Sequence, residues 1–215
     1  MHFFSESLEN YITQHAEEEF EYLQALRAET HRKVIQPRMI SGHYQGRLLS
    51  FISKLSRPDR ILEIGTYTGY SALCLAEGLS EHGRLDTIEI NEELVHIHQK
   101  YLHQSQYANQ IQVIYGDGLT VLPQLKESYD LVFIDAKKAL YNSYLDLVLP
   151  LMSKNSLLLA DNILWSGKVV EEVATNDKAT QELLVFNRRL HEDINFESII
   201  LPVRDGLSLH RKRND

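Results

Sequence analysis

The sequence predicts an α/β fold in which a doubly wound, mostly parallel β-sheet carries helices on both faces. Apolar runs of β-forming residues alternate with longer stretches of helical period, and this alternation is typical of parallel sheets with crossover helices. Near the carboxyl end, two apolar runs surround the tripeptide RDG (204–206), which indicates an antiparallel hairpin. The 215 residues suit one α/β core, so we expect a single domain over residues 1–215.

Each element follows from its local pattern. The predicted strands are 60–65 (RILEIG), 85–90 (LDTIEI), 111–115 (IQVIY), 129–135 (YDLVFID) and 156–161 (SLLLAD), and the hairpin runs are 196–203 (FESIILPV) and 207–212 (LSLHRK). The predicted helices are about 7–29, 41–55, 69–80, 91–105, 138–152 and 177–193. Ser41 and Asn91 are expected to cap the second and fourth helices. The acidic run EEEF (17–20) is expected to be a solvated face of the first helix.

Composition and charge exclude several classes of function. The net charge is −8, from 22 basic and 30 acidic residues, which is a poor match for nucleic acid or an anionic membrane, so neither partner is expected. The single cysteine, Cys74, allows no intrachain disulfide and is predicted to be a small core residue. The amino terminus does not resemble a signal peptide, and no stretch approaches the ~20 apolar residues of a membrane span. The protein is therefore predicted to be cytoplasmic.

Every predicted parallel strand delivers polar residues or glycines to its carboxyl end, where ligands of open parallel sheets bind. These residues are Glu63, Gly65 and Gly69 for the first strand, Glu89 for the second, Gly116, Asp117 and Gly118 for the third, Asp135, Lys137 and Lys138 for the fourth, and Asp161 and Asn162 for the fifth. Because these ends share one edge of the sheet, the sequence predicts a single binding site there.

The turn after the first strand predicts a nucleoside site. Gly65 and Gly69 in GTYTG would let the backbone approach a ligand closely at the start of a helix. The spacing is G-x-x-x-G rather than the dinucleotide pattern G-x-G-x-x-G, which argues against NAD. Glu89, 24 positions after Gly65, suits the two hydroxyls of a ribose. The alternative is a structural turn glycine with a surface glutamate.

Two carboxylates and an amide after the fourth and fifth strands predict a cation site. If these strands are neighbours, Asp135 and Asp161 follow strand ends only about 4.8 Å apart, and two ionised carboxylates that close repel unless a cation lies between them. With the amide oxygen of Asn162 they form an all-oxygen set of the kind that Mg²⁺ prefers. The alternative is that Asp161 caps the loop and Asp135 pairs with Lys138.

Lys138 and Trp165 are the candidates for contact with an acceptor. Lys138 lies three residues after Asp135, and a lysine beside a divalent cation can have its pKa lowered and act as a general base. The alternative for Lys138 is a plain ion pair. Trp165 could form one side of a site for an aromatic substrate, or it could belong to the core. Lys137 is interpreted as solvated.

Together these residues resemble a known family. The segments ILEIGTYTGYSAL, TIEIN, FIDAKKALYNSYLDLVLPLM, LLLADNILWSGKV and PVRDGLSLHRK are similar to the cation-dependent O-methyltransferases, which include catechol O-methyltransferase, caffeoyl-CoA O-methyltransferase and many small bacterial enzymes. The similarity runs from about Met39 to Lys212. It implies a Rossmann-like, seven-stranded sheet with an antiparallel last strand, S-adenosylmethionine (SAM) as methyl donor, Mg²⁺ or another divalent cation such as Mn²⁺, and a homodimer.

The resemblance also assigns roles to residues. It implies Asp135, Asp161 and Asn162 as metal ligands, Lys138 as the general base, and Glu89 as the clamp on the ribose. The other residues that would bind the donor are Met39, Ser41, Glu63, Gly65, Tyr67, Ser71, Gly116, Asp117, Gly118 and Asp135, while residues 1–40 would form a helical segment and a loop over the active site. Trp165 and Lys138 would contact the substrate. The animal catechol enzyme has tryptophans where this chain has Pro37 and Lys137, so the resemblance leaves the acceptor open.

The predicted reaction is transfer of a methyl group from SAM to a hydroxyl of a catechol-type aromatic acceptor, a vicinal diol, assisted by a divalent cation. One alternative is a SAM-dependent methyltransferase that acts on an amine or another non-catechol small molecule. The chain has DAKK (135–138) after the fourth strand, where methyltransferases of base amines usually have [DN]PP[YFW]. A second alternative is a binding module without catalysis, and retention of Asp135, Lys138, Asp161 and Asn162 argues against it.

Overall fold

The computed structural model describes residues 5–213, and the strands in this range form one seven-stranded sheet. The strands are β1 (Arg60–Ile64), β2 (Arg84–Glu89), β3 (Ile111–Tyr115), β4 (Tyr129–Ile134), β5 (Met152–Asp161), β6 (Phe196–Leu201) and β7 (Leu207–Lys212). Their order across the sheet is β3-β2-β1-β4-β5-β7-β6. Strand β7 is antiparallel to its neighbours β5 and β6, and the other pairings are parallel. The predicted fold class is confirmed.

Helices follow and connect the strands. Those between residues 5 and 213 are α1 (Glu6–Gln14), α2 (Glu21–Lys33), α3 (Gly42–Ser56), α4 (Tyr70–Ala76), α5 (Val95–Tyr101), α6 (Gly118–Val121), α7 (Tyr141–Val148) and α8 (Lys178–Glu192), together with short 3-10 turns at Pro37–Met39, Glu92–Leu94, Leu122–Gln124, Lys138–Leu140, Leu149–Leu151 and Trp165–Val170. None of the helices in this part of the chain is long and apolar enough to cross a membrane.

Both faces of the sheet are buried along β1, β2, β4 and the second half of β5, which explains why these segments are nearly continuous apolar runs. On one face, Ile61, Leu131 and Leu159 of the strands pack with Leu26, Leu49, Leu73 and Ile97 of α2, α3, α4 and α5. On the other face, Leu62, Val132 and Leu158 pack with Tyr141, Leu145 and Phe186 of α7 and α8. Successive strand residues point to opposite faces, so each strand contributes to both cores.

The prediction of a single first helix over 7–29 is wrong. The structure has two helices there, α1 and α2, joined by a non-helical link. The acidic run at 17–20 lies in this link, and Glu19 is buried rather than solvated. Its carboxylate accepts hydrogen bonds from the Arg27 guanidinium (2.7 Å) and from the Tyr70 hydroxyl (2.7 Å). A buried carboxylate with two partners therefore holds the link against α2 and α4.

The two predicted caps differ in outcome. Asn91 caps the turn Glu92–Leu94 as predicted, since its side-chain oxygen accepts from the N–H of Glu93 (3.0 Å). Ser41 precedes α3 but makes no capping bond, because its backbone is already helical (φ −58°, ψ −35°), whereas a capping residue has an extended backbone.

Stability should fall in acid because of His210, a buried residue of β7. Its Nδ1 contacts the Ser198 hydroxyl (2.7 Å), while Nε2 has no hydrogen-bond partner within residues 5–213. Burial lowers the pKa of His210 from 6.5 to about 4. The unfolded chain therefore binds a proton at higher pH than the folded one, and about 3 kcal/mol of the unfolding free energy should be lost as pH falls from about 6.5 to about 4.

Denaturant unfolding at several pH values checks this expectation. Other carboxyl groups titrate in the same range, so the comparison is between the native chain and His210→Gln, which should lose less stability on acidification. Exposed His191 supplies the control, His191→Gln, which should follow the native chain. Parallel pH curves for the native chain and His210→Gln would contradict the role of His210.

Candidate active site

A cleft of about 1440 Å³ opens at the carboxyl ends of the strands. It lies where β1 and β4 are neighbours in the sheet although they are not consecutive in the chain, and such a switch point is the usual ligand site of doubly wound sheets. Ile12 and Thr13 of α1 also line the cleft. The amino-terminal helical segment therefore reaches the site.

Most residues predicted for the site line this cleft. They are Met39, Ser41, Gly65, Tyr67, Glu89, Gly116, Asp117, Gly118, Asp135, Lys138, Asp161, Asn162 and Trp165. The structure brings together, at one edge of the sheet, the proposed donor loop, the proposed metal ligands and the proposed base.

Glu63 and Ser71 are the two predicted donor residues that the structure does not bring to the cleft wall. Both are buried, and the hydroxyls of Ser71 and Thr87 each contact one carboxyl oxygen of Glu63 at 2.5 Å. Burial raises the pKa of Glu63 to about 8 in spite of these hydrogen bonds. Since both oxygens have internal partners, the structure gives Glu63 a supporting position under the donor loop, and its contact with a donor stays a prediction.

Gly65 is required by the geometry of the first turn. Its φ is 103°, a backbone conformation that side chains other than hydrogen rarely allow. A Cβ atom at this position would also overlap the backbone oxygen of Asp135. The glycine turn after β1 therefore packs directly on the end of β4.

Glu89 lies at the end of β2 with both carboxylate oxygens held by backbone groups. Oε2 accepts from the N–H of Tyr67 (2.6 Å), and Oε1 accepts from the N–H of Asn91 (2.8 Å). Burial raises the pKa of this carboxyl above its usual value. Each oxygen keeps a further lone pair, so the carboxylate can still accept hydrogen bonds from two adjacent hydroxyls in the cleft.

If Glu89 binds the ribose of the donor, as the resemblance implies, Glu89→Ala should weaken binding of S-adenosylhomocysteine (SAH), the demethylated donor, by about 2–3 kcal/mol through the loss of bonds to two hydroxyls. Titration calorimetry measures the Kd directly. The matched control is Glu92→Ala, which removes an exposed carboxylate three residues away and should leave the Kd unchanged. An unaltered Kd in Glu89→Ala would mean that Glu89 serves only the turn.

Lys138 is buried just after the end of β4. Its ammonium donates to Asp135 Oδ1 (2.9 Å) and to the hydroxyl oxygen of Tyr141 (2.9 Å), so the ion pair with Asp135 is present in the structure. Burial alone would lower the pKa of Lys138, but Tyr141 and two nearby carboxylates outweigh it and raise the pKa above its usual value. The protein groups around Lys138 therefore do not produce the lowered pKa that the sequence predicted.

Asp161 is buried at the end of β5. Its Oδ1 accepts from the backbone N–H of Asn162 (2.8 Å), and its Oδ2 accepts from the side-chain amide of Gln45 (2.9 Å). Burial and the nearby Asp135 raise the pKa of Asp161 to about 6. Lys138 and Arg204 act in the opposite direction and favour the ionised form.

The donor set at the two strand ends fits a hard cation. β4 and β5 are adjacent, with Ile134 paired to Ala160, so Asp135 and Asp161 follow neighbouring residues as predicted. Carboxylate and amide oxygens are the ligands that Mg²⁺ prefers. Within residues 5–213, no group of three or more His, Cys, Asp or Glu side chains could hold a metal ion. A site here would therefore depend on the amide of Asn162 and on oxygens from water or substrate.

Comparison with known proteins identifies the family. A family model described as O-methyltransferase matches residues 13–213.

The chain belongs to the O-methyltransferase family.

It is thus a SAM-dependent transferase, as the resemblance implied.

Named relatives of this O-methyltransferase cover most of its length. A catechol O-methyltransferase from Niastella koreensis is 33% identical over 174 residues, which are 77% of this chain and 78% of that protein. Caffeoyl-CoA O-methyltransferase 5 from Nicotiana tabacum is 32% identical over 188 residues, or 81% of this chain and 77% of that protein. The structure of the O-methyltransferase TomG from Streptomyces achromogenes, in complex with SAM, is 28% identical, with a TM-score of 0.88 over 97% of this chain and 96% of that chain. The SAH-bound methyltransferase PaMTH1 from Podospora anserina is 25% identical, with a TM-score of 0.87 over 100% and 99% of the two chains.

Trp165 of this O-methyltransferase packs against the core that contains α7 and α8 and also lines the cleft, and its contact with a substrate stays a prediction. The loop that carries it is fixed by the hairpin, since the N–H of Ser166 donates to the Asp205 carboxylate (2.5 Å). Trp165 is therefore held in a defined position in the wall of the cleft.

Three buried residues of the O-methyltransferase site were not predicted from the sequence. The Tyr141 hydroxyl contacts Lys138 and donates to the backbone oxygen of Asp161 (2.9 Å). Its spacing of three residues from Lys138 is the sequence feature that could have predicted this contact. His98 is buried against the backbone oxygen of Tyr67 (2.7 Å), although its segment HIHQKYLH has the composition of a surface helix. Gln45 contacts Asp161 from α3, and no local pattern marks it.

Proposed function

We propose that this O-methyltransferase transfers the methyl group of SAM to one hydroxyl of a catechol-type acceptor, with Mg²⁺ or Mn²⁺ bound by Asp135, Asp161 and Asn162. The observation that carries the proposal is the convergence of these three oxygen ligands and Lys138 at the adjacent ends of β4 and β5. The same cleft contains Glu89 and the glycine turn. The names of the Niastella koreensis and Nicotiana tabacum relatives agree with a vicinal diol as acceptor.

In this proposal the donor lies along the ends of β1 and β2. Glu89 accepts hydrogen bonds from the two ribose hydroxyls, and the turn at Gly65 lets the backbone approach the methionine part. Met39, Ser41 and Tyr67 line the same part of the cleft, and Gly116, Asp117 and Gly118 form the turn on the adenine side. SAM in TomG and SAH in PaMTH1 support this ligand class.

The acceptor lies between Asp161 and Trp165 in this proposal. A divalent cation held by the two carboxylates and Asn162 would lower the pKa of the hydroxyls that it contacts. Trp165 supplies an aromatic wall for the ring of the acceptor. Lys138 lies at the same end of the cleft, within hydrogen-bond distance of Asp135.

The chemistry is an in-line displacement at the methyl carbon. The phenolate oxygen forms the new bond to carbon, the carbon–sulfur bond breaks, and its electron pair stays on sulfur, which becomes the neutral thioether of SAH. Lys138 Nζ takes the phenolic proton in its neutral form. Its ammonium form, which the hydrogen bonds to Asp135 and Tyr141 stabilise, must therefore lose a proton first. Alignment of oxygen, carbon and sulfur by the rigid strand ends supplies much of the rate.

The test compares one hydroxyl with two. We expect caffeate, a catechol, to be methylated once, and coumarate, a lone phenol, to remain unmodified, because only two adjacent oxygens can both contact one cation. A chelator should abolish turnover, Mg²⁺ should restore it, and Ca²⁺, with its looser geometry, should support little turnover. Mass spectrometry of the products measures each result. Efficient methylation of coumarate in excess chelator would overturn the proposal.

Three further features belong to the proposal. We propose a homodimer, supported by Phe51 and Leu55 of α3, whose side chains are 63% and 74% exposed. Light scattering should then give a mass of twice 24.9 kDa.

We propose that residues 1–215 act as one domain in which residues 1–40 cover the active site, since Ile12, Thr13 and Met39 line the cleft. The cytoplasmic location stays a prediction that cell fractionation checks.

A further inference from the structure

Gln45 connects two distant parts of the active site. It belongs to α3 and is fully buried, with 0% exposure. Its side-chain N–H donates to Asp161 Oδ2 (2.9 Å), and its side-chain oxygen accepts from the Arg204 guanidinium (3.2 Å). Both ends of the amide are therefore used, and a buried amide with two specific partners holds its orientation.

Arg204, at the turn between β6 and β7, holds the segment before α3. Its Nη1 donates to the backbone oxygens of Ile40 (2.9 Å) and Ser41 (2.5 Å), and its Nη2 donates to the backbone oxygen of Arg38 (3.3 Å). This segment, residues 38–41, carries the cleft-lining side chain of Met39. Arg204 also has a left-handed backbone (φ 51°), which a non-glycine residue keeps only when its surroundings require it.

We infer that Arg204 and Gln45 are positioning residues that tie the donor-covering segment 38–41 to the metal ligand Asp161. The inference rests on the proposed function for the roles of Asp161 and of segment 38–41, and on geometry for the contacts that join them. With Oδ1 bonded to the Asn162 N–H and Oδ2 bonded to Gln45, the Asp161 carboxylate is fixed at both oxygens while one lone pair on each remains for a ligand. Partners of this kind typically change metal affinity 10- to 100-fold when removed.

The arrangement predicts two different defects. Gln45 contacts Asp161, so its loss releases Oδ2 while Oδ1 stays bonded to the Asn162 N–H, and the backbone of 38–41 stays bonded to Arg204. Arg204 contacts both Gln45 and three backbone oxygens of the segment, so its loss frees the segment and Gln45 together. Gln45 variants should therefore affect the cation, whereas Arg204 variants should affect both the cation and the donor.

The experiment uses Gln45→Met, which keeps an unbranched side chain of similar length without hydrogen-bonding groups, and Arg204→Ala. The control is Arg211→Ala, which removes an exposed arginine of the same hairpin that pairs only with Glu197 in residues 5–213. Calorimetry measures the Kd of SAH without metal, and electron paramagnetic resonance measures the Kd of Mn²⁺ in the presence of SAH. Circular dichroism checks that each variant is folded. Arg204→Lys replaces Arg204→Ala if the alanine variant is not folded.

We expect Gln45→Met to raise the Kd of Mn²⁺ about tenfold and to change the Kd of SAH less than threefold. Arg204→Ala should raise both values about tenfold, and Arg211→Ala neither. An unchanged Mn²⁺ affinity in Gln45→Met, or an unchanged SAH affinity in folded Arg204→Ala, would overturn the corresponding half of the inference. If the native chain bound no Mn²⁺, the proposed metal function would fail and the Gln45 half with it, while the SAH measurement would still decide the Arg204 half.

Discussion

Replacing Lys138 by methionine is expected to lower kcat for a catechol acceptor by about 10²-fold or more, with little change in the Kd of SAH. The ammonium of Lys138 is the only side-chain cation within hydrogen-bond distance of Asp135 among residues 5–213. Methionine keeps the length of the aliphatic chain but can neither accept the phenolic proton nor carry charge. The loss should therefore appear in turnover and not in donor binding, and steady-state kinetics with calorimetry separate the two.

Lys138→Arg separates proton transfer from charge. Arginine keeps the positive charge beside Asp135, but its guanidinium does not lose a proton in proteins. If Lys138 acts as the base, the arginine variant should be as slow as the methionine variant. Exposed Lys137 gives the control, Lys137→Met, in which turnover should change little. Recovery of turnover in Lys138→Arg would show that Lys138 contributes its charge and not proton transfer. Native turnover in Lys138→Met would show that Lys138 has no catalytic role and only forms the ion pair with Asp135.

The position of the cleft could be predicted because the central strands of the sheet are buried on both faces. Buried parallel strands must be long apolar runs, and in this chain each run stops at a polar residue or glycine where the cleft begins. Asp161 shows this clearly, since it ends the run SLLLAD and lies in the cleft. Gly65 could also be predicted, because the turn it makes demands a left-handed backbone and a close approach to β4.

Contacts between distant segments could not be predicted in the same way. Gln45 lies 116 positions before Asp161, and nothing in its own helix distinguishes it from a solvated glutamine. Glu19 and His98 have surface-like neighbours in sequence, yet both are buried because partners in other elements satisfy them: Arg27 and Tyr70 for Glu19, and Tyr67 and Tyr115 for His98. Periodicity reports which face of an element is apolar, but it does not report which polar side chain finds a partner inside.

Asp161 is the residue whose loss should most resemble removal of the cation. We expect Asp161→Ala to lower kcat by about 10²-fold or more at a Mg²⁺ concentration that saturates the native enzyme, because one of the two proposed carboxylate ligands is gone. Donor binding should remain, since Glu89 and the glycine turn lie on other strands. The Kd of SAH measured without metal checks the second part.

Asp161→Asn refines this expectation. Asparagine keeps the shape and an oxygen that can accept from Gln45, so packing around α3 should survive while one negative charge is removed. Its affinity for Mn²⁺ should fall sharply, and excess Mn²⁺ should restore part of the turnover, which a purely structural defect would not allow. Asp146→Asn, which changes an exposed carboxylate paired with Arg189, should retain native affinity and turnover. Native Mn²⁺ affinity in both Asp161 variants would show that Asp161 serves only the loop after β5.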